Sequence, residues 1–160
     1  MTTPGQETGE WVELKVHGVV RDENTDTQIV ILRDDRGGEV LPLWVGLAEG
    51  NAIRLAQEAV VTPRPMTHDL IKSLADHLNI QLQRVAITDV KNTTYYATLY
   101  LTSKGVTRTL DARPSDAIAL ALRAKCPIYV TQDVLNRRGG GNADVWLEKL
   151  QSKKVDPAEA

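Results

Sequence analysis

Hydrophobic and polar positions alternate through residues 11–20, with Val12, Leu14 and Val16 on one face and Glu13, Lys15 and His17 on the other. A period of two is that of a half-buried strand. Ile29-Val30-Ile31-Leu32, within 27–33, breaks the alternation and predicts a more fully buried strand, and Asp34-Asp35-Arg36-Gly37-Gly38 predicts the turn after it. Residues 39–45 predict a third strand, in which Pro42 lacks a ladder donor and points to an edge or a bulge. The period then changes. Ala52, Ile53, Leu55, Ala56 and Ala59 recur at helical spacing over 47–60, and Thr62-Pro63-Arg64-Pro65 ends that helix. A second helix is predicted over 67–77, with Thr67 as its cap and Leu70, Ile71, Leu74, Ala75 and Leu78 in one stripe.

The theme then repeats. Residues 80–90, 93–103 and 106–112 predict a three-strand meander with turns at Lys91-Asn92 and Ser103-Lys104-Gly105. Pro114 and Ser115 precede an apolar run, which spells a helix over 115–124 with Ser115 as N-cap. Ala117 through Leu122 is apolar on every side, so this helix should be buried. A short strand is predicted at 127–130. Aligning Asn51-Ala52-Ile53-Arg54-Leu55-Ala56 with Asp116-Ala117-Ile118-Ala119-Leu120-Ala121 points to an internal duplication. The expectation is a single α+β domain of duplicated β-β-β-α units, antiparallel meanders backed by helices. It should occupy 11–135, after a disordered tail at 1–10. Beyond it, 136–160 should hold a Gly-rich linker with Arg137 and Arg138, a short helix carrying Trp146, Leu147 and Leu150, and a polar end. Open strand edges and those apolar residues past the linker predict a homodimer or larger homo-oligomer.

Composition narrows the function classes. A chain of 160 residues has room for one domain with a core of its own. With no Phe, that core must be built from Leu, Ile, Val and Ala. A net charge of −2 gives no global attraction for a polyanion, which counts against a sequence-independent nucleic-acid binder but leaves room for a nuclease with an acidic, metal-dependent site. The lone Cys126 excludes an internal disulfide and a multi-cysteine zinc site, and its apolar setting before Pro127 makes it a core residue. A reducing cytoplasm is the expected compartment. No apolar run approaches the ~20 residues that span a bilayer, and residues 1–9 lack the features of a signal peptide, so no membrane partner is expected.

The candidate chemistry gathers at the starts of the predicted helices. Asp111, Arg113 and Asp116 crowd one strand-to-helix corner on a buried support, although a first-turn Asp is favourable at any helix start. His68-Asp69 offers a general base beside a carboxylate, or merely a favourable first turn. Glu49, Asp111 and Asp116, with Asp69, supply hard oxygen ligands of the kind that hold Mg²⁺ or Mn²⁺. They could equally pair locally, Asp111 with Arg113 and Glu49 with Arg54; no D-x-D or H-x-x-E spacing brings them together. Arg64 and Arg113 sit beside prolines, and a guanidinium on stiff backbone recognises phosphate or the protein's own carboxylates. Neither a glycine-rich phosphate loop nor a nucleophile elbow is present.

Three segments in order, Leu41-Pro42-Leu43-Trp44-Val45-Gly46-Leu47-Ala48-Glu49-Gly50-Asn51-Ala52-Ile53, Arg64-Pro65-Met66-Thr67-His68-Asp69-Leu70, and the run from Asp111 to Val130, resemble the bifunctional nuclease family of small bacterial and plant proteins. The resemblance covers 11–135 and implies DNase and RNase activity. One departure is Glu49-Gly50, where the family usually has Glu-Ala. On that reading Glu49, Asp111 and Asp116 would hold the cation, and His68 would activate water with Asp69 orienting it. Arg64 or Arg113 would steady the phosphate of DNA or RNA. The competing expectation is a non-catalytic regulatory or scaffolding domain that binds a small anion or a protein.

Overall fold

The computed structural model describes residues 10–36 and 38–138. The expected tail at 1–9 and the expected helix at 144–150 lie outside the described residues. The elements are β1 (Trp11–Asp22), β2 (Thr27–Arg33), β3 (Val40–Val45), α1 (Leu47–Gln57), α2 (Thr67–His77), β4 (Gln81–Lys91), β5 (Thr94–Ser103), β6 (Val106–Ala112), α3 (Pro114–Ala124), β7 (Ile128–Thr131) and α4 (Gln132–Arg137).

The strands form one seven-stranded sheet in the order β3-β2-β1-β7-β4-β5-β6. Each meander is antiparallel, and β7 joins them, antiparallel to β1 and parallel to β4. The units β1-β2-β3-α1 and β4-β5-β6-α3 therefore share one strand order, each with its first strand beside β7, as a duplicated α+β unit requires. β3 is an edge strand, where Pro42 sits opposite Ile31 without interrupting an inner ladder.

One face of the sheet carries the core. Val30, Leu32, Leu41 and Leu43 from the first unit, and Val85, Ile87, Ala97 and Leu99 from the second, meet Ala52 and Ile53 of α1 and Ala117 through Ala121 of α3. Ile53 and Ile118 are fully buried. In β1 the register slips between Val16 and Gly18, so that Val16 faces Leu32 and Val19 faces Val30. The bulge thus keeps apolar residues on the core side at both ends of a long strand.

Four local expectations are corrected. Ser115 is not the N-cap of α3; Arg113 is, in an extended conformation, with Pro114 opening the helix. Proline disfavours helical backbone in the residue before it and suits the first helical position, so it fixes the boundary one step earlier. Thr67 likewise lies inside α2, whose N-cap is Met66. Arg137 and Arg138 do not belong to a solvated linker: Arg137 pairs with Asp89 at 2.6 Å and Asp133 at 2.7 Å, and Arg138 reaches Glu39 at 2.9 Å. Arg137 ends α4, a helix capped by Thr131, whose side chain accepts from the Val134 N–H at 3.2 Å. Finally, the stripe on α2 exists but faces outward. Leu70, Ile71, Leu74 and Leu78 are exposed, while buried His68 and half-buried Asp69 and Ala75 turn toward the protein. No helix of the described residues is long and apolar enough to cross a membrane.

Candidate functional site

Glu49, Asp69 and Asp116 are each the third residue of a helix, α1, α2 and α3 respectively. First-turn N–H groups lack intrahelical partners and favour negative charge, which places a carboxylate at each of these starts. Because α3 packs against both α1 and α2, the three starts contribute to one charged cluster.

Asp116 is at its centre. Its Oδ1 lies 2.8 Å from His68 Nε2 and 3.1 Å from Arg113 Nη2, and its Oδ2 accepts from Arg113 Nε at 2.8 Å. The Arg113 hydrogen bonds hold the Asp116 carboxyl below its ordinary range, assisted by His68 and opposed by partial burial. An ionised carboxylate only accepts hydrogen bonds, so Nε2 of His68 carries the proton. In the neutral ring, Nδ1 is then left with the free lone pair. The His68 side chain is 9% exposed and that of Arg113 64%. Glu49 closes the cluster from α1, its Oε2 3.8 Å from Arg113 Nη1.

Asp69, expected to orient His68, points elsewhere. Its Oδ2 accepts from the Met66 backbone N–H at 2.8 Å, and its Oδ1 from Arg123 Nε at 2.6 Å. Those two donors, the backbone N–H first, hold its carboxyl below the ordinary range. The carboxylate that engages His68 is Asp116. Asp111 stands apart from the cluster: the next residue, Ala112, packs against the core, so strand alternation sends Asp111 to the other face of the sheet. Arg64 is exposed in its turn, where its carbonyl accepts from Thr62 Oγ1 at 2.6 Å; its guanidinium has no partner among the described residues. The local pairs considered for the carboxylates also differ. Arg113 engages Asp116 and Glu49 rather than Asp111, and Arg54 binds Gln28 Oε1 at 3.0 Å and Asn51 Oδ1 at 3.3 Å rather than Glu49.

The donors do not fit a divalent cation held by Glu49, Asp111 and Asp116. Among the described residues no group of three or more His, Cys, Asp or Glu side chains is placed to hold a metal ion. Asp111 is on the wrong face, and both oxygens of Asp116 face cationic or N–H donors. Cys126 is also outside the chemistry, because burial pushes its thiol up to about 11 and leaves it protonated and unreactive.

Two residues that the sequence did not single out hold the site together. Arg123 side-chain exposure is 9%; besides Asp69 it donates to the carbonyls of Ala52 at 3.1 Å and Ala119 at 2.9 Å, so one guanidinium ties α1, α2 and α3. An arginine ending an otherwise apolar helix was the available signal, since a buried charge requires partners. The other is Gln28, 4% exposed on β2, which donates to Asn51 Oδ1 at 3.1 Å. A Cβ at Gly50 would come within 2.8 Å of Gln28 Cβ and Cδ. Glycine follows Glu49 here because Gln28 fills the space an alanine would need.

Fold and site define a small α+β domain whose polar centre is built on helix starts rather than on a phosphate loop. The chain belongs to the bifunctional nuclease domain family, whose sequence model matches residues 30–141. It is 39% identical over 127 residues to an uncharacterized protein of Mycobacterium tuberculosis, an alignment covering 79% of this chain and 76% of that one. It is 30% identical over 123 residues to bifunctional nuclease 1 of Oryza sativa subsp. japonica, covering 75% of this chain and 37% of the rice protein. Bifunctional nuclease 2 of Arabidopsis thaliana matches at 32% over 107 residues, 65% of this chain and 32% of the plant protein. The chain thus spans about a third of the length of these plant relatives.

Proposed function

We propose that this protein hydrolyses phosphodiester bonds of DNA, RNA or both at the cluster of His68, Asp116, Arg113 and Glu49. The observation that carries this reading is the chain of contacts from His68 through Asp116 to Arg113, inside the segment matched by the family. The names of the plant relatives support the reaction class. Asp116 holds the imidazole by Nε2, and Nδ1 takes the proton of the attacking water. Arg113, exposed beside it, meets the phosphate oxygens and stabilises the charge that develops on them. Glu49 keeps the guanidinium turned toward the site. Arg64 lies outside this cluster, on the exposed turn leading into α2, and draws the nucleic-acid backbone in.

A second reading has its own support: the charges of the cluster are satisfied by one another and the His68 ring is nearly closed off. Such a network also serves as a clamp between helices in a regulatory or scaffolding domain that binds an anion or a protein. The two readings separate on a panel of single- and double-stranded DNA and RNA, incubated with highly purified wild type and His68→Ala, with Mg²⁺, Mn²⁺ or EDTA. The catalytic reading expects cleavage by the wild type and a loss of about 10²–10⁴-fold in the variant. No turnover, or equal cleavage by both proteins, leaves the clamp.

A further inference from the structure

The sheet face turned away from the helices carries a second polar site. Leu14 and Leu32 are buried on the core side of β1 and β2, so Lys15 and Arg33, one residue further along each strand, project from the opposite face. The register sets these two residues directly opposite each other. Like charges in such a pair repel. Lys15 finds a partner in solvent, its Nζ 3.1 Å from Asp35 Oδ2. Arg33 finds none: among the described residues its guanidinium makes no ion pair or hydrogen bond, and its Nε is closed to solvent without an acceptor. A buried donor on a charged side chain is costly to leave unmet, and an ion or ligand is the usual answer. Beside Arg33 lies a cleft of about 380 Å³, with Lys15, His17, Asp34, Asp35 and Arg36 also in its lining. The β1 bulge between Val16 and Gly18 is what brings His17 to it.

We propose that this cleft binds a small phosphate monoester of about nucleotide size. The charge balance selects phosphate. Both carboxylates of the lining are already engaged, Asp34 Oδ1 by the Gly38 N–H at 2.7 Å and Asp35 by Lys15. Arg33 and Arg36 remain as two guanidinium groups with no carboxylate partner among the described residues, and His17 adds a ring nitrogen. A carboxylate ligand brings one charge and would leave one fork unmatched. A phosphate monoester brings nearly two at neutral pH, on three acceptor oxygens whose geometry a guanidinium fork fits. The volume exceeds what a free phosphate needs and falls within the range of sites for small organic ligands. The assignment does not depend on the phosphodiester reaction: His68 and Arg113 belong to the helices, on the core side of the sheet.

Calorimetric titration of the full chain with adenosine 5′-monophosphate and with inorganic phosphate, at low ionic strength, tests the site. The nucleotide should bind with a Kd of about 10⁻⁵–10⁻³ M and raise the melting temperature, and phosphate should compete with it more weakly. Arg33→Gln and Arg36→Gln should each weaken binding about tenfold or more, whereas Arg113→Gln, altered at the helix starts, should bind as the wild type does. Without ligand, Arg33→Met should melt at or above the wild-type temperature, because it removes an unpaired charge rather than a bonded one. A wild type that binds neither ligand at about 10 mM overturns the proposal, as does an Arg33→Gln protein that binds like the wild type. Binding lost in Arg113→Gln instead puts the phosphate at the helix starts, and acetate that competes as well as phosphate makes the cleft a carboxylate site; either result overturns it. So does an Arg33→Met protein that melts well below the wild type, since Arg33 would then be bonded in the free protein.

Discussion

α2 and α3 are both eleven-residue helices, pack against each other and give their first turns to the same charged cluster, yet they treat apolar side chains oppositely. α3 sinks Ala117 through Ala121 into the core, whereas α2 turns Leu70, Leu74 and Leu78 away from it. Position in the duplicated architecture accounts for the difference. α3 has a counterpart in α1, and each backs its own meander; α2 lies between the two units and rests on α3. What α3 presents to it is polar, Asp116 at one end and Arg123 at the other, so His68 and Asp69 must face inward and the leucines outward. A buried cluster of charges outweighs the periodicity of the helix that serves it, because an unpaired buried charge costs several kcal/mol and an exposed leucine far less.

Truncation should show this contrast at its largest. Ile118→Ala, in α3, is expected to lose about 2–5 kcal/mol, whereas Leu70→Ala in α2 should change the stability of the monomer by no more than about 0.5 kcal/mol; urea denaturation of dilute protein measures both. Comparable losses would mean that α2 is buried within a single copy. Arg123→Ala comes next, at about 2–3 kcal/mol, since it removes the charged hydrogen bonds that join α2 to both core helices. Hydrogen exchange should then show α2 opening before α3. Gly50→Ala is expected to destabilise by about 1–3 kcal/mol despite the better helix propensity of alanine, because the added methyl collides with Gln28. In a Gln28→Ala background the same change should become neutral or favourable, as followed by melting temperature.

The smallest effect is that of acid. Asp69 and Asp116 both have folded-state values below those of the unfolded chain. Their contribution is thus present above about pH 4 and lost as the pH falls through the folded values. Denaturation midpoints should decline across that window in the wild type and less steeply in Asp116→Asn.

Much of this arrangement is legible along the chain. The strands 27–33 and 106–112 and the helix 67–77 follow from local period and breakers alone, and the duplication from a six-residue match. Orientation is less legible. The alternation of Leu110, Asp111 and Ala112 already placed Asp111 on the face opposite its apolar neighbours, yet proximity in sequence to Arg113 and Asp116 drew it into the expected site. The direction of the α2 stripe, and the exchange of Asp69 for Asp116 as the partner of His68, depend on residues 48 and 54 positions away along the chain. No local pattern encodes such pairings. Arg123 and the Gln28–Gly50 fit belong to the same class, being answers to packing between units.

The central claim is that the contact of His68 and Arg113 with Asp116 performs chemistry rather than only joining helices. It is tested most directly by measuring kcat/KM on a defined oligonucleotide together with the melting temperature for Asp116→Asn, beside Arg123→Lys as a variant that disturbs the clamp alone. The expected result is a loss of about 10²-fold or more in kcat/KM for Asp116→Asn at a melting temperature close to that of the wild type, while Arg123→Lys lowers the melting temperature and largely keeps the rate. An Asp116→Asn protein that melts early but cleaves at the wild-type rate would contradict it.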